Sequence, residues 1–95
     1  MAGATYMVEC FWPGVTPELI EEAAARASRR AEELAQEGVS VRYLGSILVP
    51  GDEVVFFQLD GPSAEAVAGV AVRAELPFER VVESVRIATQ LDKDR

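Results

Sequence analysis

The run VSVRYLGSILVPGDEVVFFQLD, Val39 to Asp60, decides the fold. It reads as two strands, Val39–Val49 and Val54–Asp60, turned back on each other by Pro50-Gly51-Asp52-Glu53. Val54-Val55-Phe56-Phe57 is apolar at every position. A strand of an antiparallel sheet with one solvated face alternates apolar and polar residues, so an unbroken apolar run implies cover on both faces.

Upstream, Thr5–Trp12 (TYMVECFW) is rich in aromatic and β-favouring residues and predicts a strand that Pro13-Gly14 stops. Thr16-Pro17 is a helix start, a hydroxyl N-cap followed by proline where its missing N–H costs nothing. Ile20, Ala23, Ala24, Ala27, Ala31 and Leu34 recur at helical spacing, and Gly38 is a C-terminal stop. The spacing predicts a helix over Pro17–Glu37. Downstream, Ser63 after Gly61-Pro62 caps a second helix that runs to about Glu75, and Val81–Thr89 forms a last strand. The order strand, helix, strand, strand, helix, strand is that of the α+β ferredoxin-like βαββαβ arrangement. It implies a four-stranded antiparallel sheet with two helices on one face and the first and third strands in the centre. The chain reads as one domain over 1–95, with residues 1–3 and 92–95 frayed.

The helices cover only one face, yet the central strands read as covered on both. Thr5–Trp12 repeats the signal, with Glu9 as the single charge between apolar runs. A second copy of the sheet, a bound ligand or both would cover the other face, giving a dimeric α+β barrel with a cavity between the sheets. A homodimer is the expected assembly. Composition narrows the partners further. Sixteen acidic against nine basic residues give a net charge of −7, which disfavours nucleic acid and anionic membrane surfaces. One cysteine excludes an internal disulfide and fits the reducing cytoplasm. The first residues carry no basic or long apolar stretch, so no signal peptide is expected. With no histidine, Ser/His/Asp and Cys/His catalysis are excluded. Cys10 reads as a small buried hydrophobe under a helix.

Alternation assigns side chains to faces, and a charge does not fit under helices, so Glu9 turns outward with Met7 and Phe11. By the same logic Phe56 and Gln58 face outward, as do Arg42, Leu44 and Ser46 of the second strand and Ser84 and Arg86 of the fourth. The open face then carries polar residues on an apolar floor, the make-up of a small-molecule pocket. Glu9 is expected to pair with Arg86 across neighbouring strands. The ligand-binding set is Met7, Phe11, Arg42, Leu44, Ser46, Phe56, Gln58 and Ser84. Were the protein an enzyme, Glu9 would be the base and Arg86 or Arg42 would steady developing negative charge.

The segments TYMVECFWPGVTPELIEEAA (Thr5–Ala24), VRYLGSILVPGDEVVFFQL (Val41–Leu59) and GPSAEAVAGVAVRAELPFERVVESV (Gly61–Val85) resemble a small bacterial domain-of-unknown-function family, DUF4242, typified by a Streptomyces nickel-binding protein. The shared features are a strand Glu before an aromatic residue and Pro, a Val-Arg-aromatic strand, and a helix ending in Leu-Pro before the last strand. The resemblance implies a ferredoxin-like fold, a homodimer and nickel binding, with Glu9 as the matched strand carboxylate. The residues themselves name no metal ligand and no cofactor. The function expected is a small homodimeric protein that holds a small hydrophobic or anionic organic ligand, or weakly a divalent metal, on its open sheet face. The alternative is a cofactor-independent cyclase, isomerase or monooxygenase of the dimeric α+β barrel kind.

Overall fold

The computed structural model describes residues 3–87. Its elements run β1 (Ala4–Phe11), α1 (Pro17–Gln36), β2 (Arg42–Val49), β3 (Val54–Gly61), α2 (Ala64–Arg73) and β4 (Phe78–Ser84). All strand pairs are antiparallel, in the order β2-β3-β1-β4. This is the ferredoxin-like α+β fold that the element order predicts, with the two apolar strands in the centre.

The helices start and stop where local chemistry dictates. Thr16 Oγ1 accepts from Leu19 N at 3.2 Å and Ser63 Oγ accepts from Ala66 N at 3.1 Å, each satisfying an N–H that has no partner within its helix. Gly38, with φ 97°, ends α1. Its N–H bonds to Ala35 O while Val39 N bonds to Leu34 O, the paired closure of a Schellman motif. Val39 therefore completes a helix rather than opening a strand, and β2 starts three residues later than the sequence predicts. α2 ends by the same closure, Glu75 N to Val72 O and Leu76 N to Ala71 O, but the residue with positive φ is Glu75, at 58°. Pro77 follows, and the chain enters β4 at Phe78 rather than at the expected Val81. β4 ends at Ser84, short of the expected continuation through 85–87, while its expected end, Thr89, and the tail 92–95 expected to fray lie outside the described residues. At the other end Gly3 lies against the Gly61 backbone so closely that a Cβ on it would meet Gly61 O at 2.2 Å.

One core cluster sits between the sheet and the helices. The sheet contributes Tyr6, Val8, Cys10, Val55, Phe57 and Leu59, the alternating set assigned to the helix face. The α1 stripe is Ile20, Ala23, Ala27, Ala31 and Leu34, and α2 adds Val67, Val70 and Ala71. The helix residues are mostly small, which lets the axes approach the sheet closely. Arg26 Nε donates to Ala74 O at 2.8 Å and the Arg73 guanidinium forks onto both Glu37 oxygens at 3.1 Å, which ties the end of α2 to the middle and the end of α1. No helix among the described residues is long and apolar enough to cross a membrane.

Candidate functional site

The strand register lays out the uncovered face as rows, because residues directly opposite each other in an antiparallel pair point to the same side. The first row is Arg42, Asp60, Thr5 and Ser84. The second is Gly45, Gln58, Met7 and Val82, the third Ile47, Phe56, Glu9 and Arg80, and the fourth Val49, Val54 and Phe11. The first row carries charged and hydroxyl groups and the fourth only hydrocarbon, while Glu9 and Arg80 put charge in the third beside Ile47 and Phe56.

Most of the predicted open-face residues lie here, with two displacements. A bulge between Tyr43 and Gly45 slips the β2 register by one residue. Arg42 precedes it and keeps the expected face, and Leu44, the extra residue, still lines the cleft with Met7 and Gln58. Beyond it Ser46 lies opposite Phe57 on the helix face, and Ile47 takes its place beside Phe56. The second displacement concerns Glu9. Its partner is Arg80, not the expected Arg86: Arg80 Nε donates to Glu9 Oε1 at 2.5 Å. β4 begins early and carries its own irregularity between Glu9 and Cys10, so Arg80 comes to stand opposite Glu9 while Arg86 lies past the strand end. The hydrogen bond to Glu9, then the Glu9 charge, raise the Arg80 guanidinium further above its ordinary range. Glu9 and Arg86, paired in the sequence reading, are separated.

Sequence reasoning passed over two further groups. Asp60 accepts from Thr5 Oγ1 at 2.6 Å and from Arg42 Nη2 at 3.1 Å, so Arg42 is committed to an internal partner. These residues line a cleft of about 490 Å³ at the sheet end, with Gly3, Ser40, Gly61 and Pro62. A second cleft of about 390 Å³ adjoins it through Thr5 and is formed by Met7, Leu44, Gln58, Ser84, Val85 and Arg86. Gly45 inside a strand pattern was the available sign of the bulge. No comparable sign marked Arg80, which follows Pro77 and Glu79 in what reads as a loop.

Large apolar side chains of this face stay open to solvent. Phe11 is 50% exposed, Ile47 45% and Leu44 44%. The buried face holds one reactive group, Cys10. Burial first, then the Glu79 and Glu9 charges, push its thiol up to about 12, so it is neutral and a poor nucleophile at physiological pH. Divalent nickel favours imidazole and thiolate donors. The chain has no histidine, its one thiol is buried and protonated, and the described residues contain no group of three or more His, Cys, Asp or Glu that could hold a metal ion. The donor set does not fit nickel.

Comparison with known proteins locates the chain. The family profile described as "Nickel responsive protein SCO4226-like" matches residues 6–83. The crystal structure of SCO4226 from Streptomyces coelicolor A3(2) superposes with a TM-score of 0.66 at 23% identity, covering 90% of this chain and 100% of that one. At that identity the likeness establishes a shared fold. No curated protein matches.

Proposed function

The chain belongs to the SCO4226-like family, and we propose that it is a small homodimeric binding protein that holds an organic ligand on its open sheet face. One observation carries the reading: the uncovered face is divided between a mainly apolar half, broken by the Glu9–Arg80 pair, and a concave polar end. The apolar half, with Phe11, Ile47 and Phe56, is what a second copy of the sheet would cover, since soluble monomers seldom leave such a patch bare. The polar end has the volume and mixed lining of a small-ligand site. The cytoplasm, with its reducing poise, suits a chain whose single cysteine is a packing residue.

Nickel binding by this chain is not part of the proposal, because the donor set does not fit. Sedimentation equilibrium combined with amide chemical-shift mapping against a library of small amphiphiles tests the reading. A dimer is expected, with shifts confined to Met7, Gln58 and Ser84 and their neighbours. A monomer at every concentration removes the assembly, and a library without a binder removes the ligand site.

A further inference from the structure

We infer that the cleft between Thr5, Gln58 and Arg86 selects a carboxylate monoanion with an apolar body. This rests on the reading of the open face as a ligand site and adds the class of ligand. The argument starts from the displaced register. Arg80 takes the Glu9 carboxylate and Arg42 takes Asp60, so the two acidic side chains of the open face are each already paired with an arginine. Arg86 makes no ion pair among the described residues, and it lines the cleft together with the neutral Ser84 and Gln58. The carboxylates on the surrounding elements are accounted for: Asp60 is held by Thr5 and Arg42 in the adjoining cleft, and Glu83 is opposite Tyr6 on the helix face.

Among the described residues the lining thus holds one cation and no anion. A guanidinium presents a planar fork of donors that matches a carboxylate, and the Gln58 amide adds a neutral donor. Ser84 Oγ already donates to Thr5 O at 3.3 Å, so it offers the ligand only lone pairs. Met7, Leu44 and Val85 form the apolar wall. A single guanidinium in a chain of net charge −7 balances one negative charge, which favours a monoanion over a phosphate dianion.

Calorimetric titration with octanoate, octanol and octyl phosphate tests this on the wild-type protein and on Arg86→Gln, an exposed change that leaves the core intact. Octanoate is expected to bind about tenfold more tightly than octanol, the gain typical of a charge-assisted hydrogen bond. That margin should vanish in Arg86→Gln and shrink with added salt. Equal binding of octanoate and octanol to the wild type overturns the selectivity but leaves the ligand site standing. So does a margin that survives Arg86→Gln. Octyl phosphate binding more tightly than octanoate overturns the carboxylate assignment. If none of the three binds, both the selectivity and the ligand site fall.

Discussion

Replacing Phe11 with alanine tests the assembly most directly. Phe11 sits in the most apolar row of the open face, opposite Val54, and is 50% exposed. A phenylalanine buries roughly 150–250 Å² when fully covered, so a partner sheet that covers the exposed half removes about 100 Å² from water. At about 25 cal/mol per Å² this is worth about 2.5 kcal/mol per ring. A twofold axis counts the ring twice, which makes the upper figure about 5 kcal/mol per dimer. The entropic cost of association is common to wild type and variant and cancels from the difference. Because about 1.4 kcal/mol is a factor of ten, the dimer dissociation constant should rise by up to about three and a half orders of magnitude. Sedimentation equilibrium over a dilution series reads the constant, and circular dichroism checks that the monomer remains folded. A folded Phe11→Ala protein that dissociates at the wild-type concentration would refute the reasoning, because the ring would then lie outside the interface.

Other substitutions probe the fold beneath that face. Phe57→Ala removes a fully buried ring from the core and should cost about 3–5 kcal/mol, read as a fall in the urea midpoint; a loss below about 1 kcal/mol would mean that the core is looser than described. Glu75→Gly should raise stability by about 0.5–1 kcal/mol, since glycine relieves the positive φ at the end of α2 where no side-chain contact is lost; a destabilised variant would show that Glu75 contributes something else. Cys10 should resist iodoacetamide in the folded protein at mildly alkaline pH and react only on unfolding, as mass spectrometry would show. Its thiol is raised from 9.0 to about 12 in the folded state, so the stability it contributes is complete below pH 9 and is lost as pH climbs towards 12. Cys10→Ala should lack that slope in denaturation midpoints. Calorimetric titration with nickel should give no saturable heat, and a stoichiometric isotherm would contradict the donor-set argument.

The parts of this structure legible in the sequence are those with one dominant local cause. Alternation in Thr5–Phe11 and Val54–Asp60 placed Val8, Cys10, Phe57 and Leu59 under the helices and Glu9, Met7, Phe56 and Gln58 outside, as observed. Thr16-Pro17 and Gly38 bracketed α1 because capping chemistry depends on only a few residues. Ser46 was misplaced because face assignment assumes an unbroken period of two, and the bulge at Gly45 breaks it. The partner of Glu9 was misplaced because cross-strand pairing depends on where β4 starts. That point follows from the helix-ending turn at Glu75, a residue whose type does not announce positive φ. Arg42 looked free for a ligand because its partner, Asp60, sits on another strand, eighteen residues away.

The bulge at Leu44 has one further consequence. It acts as a parity switch in an edge strand: residues before and after it obey opposite rules for which side they show. Flattening the bulge so that Leu44 pairs with Gln58 would turn Ile47 under the helices and bring Ser46 out beside Phe56, and Gly45, Leu48 and Val49 would change face with them. The apolar half of the face would gain a hydroxyl in its middle, and the core edge would receive a bulky branched residue. Deleting Leu44 itself would leave a regular ladder, with Gly45 still opposite Gln58 and Ile47 still opposite Phe56, so what this face shows depends on the bulge being kept or cleanly removed rather than on the length of β2.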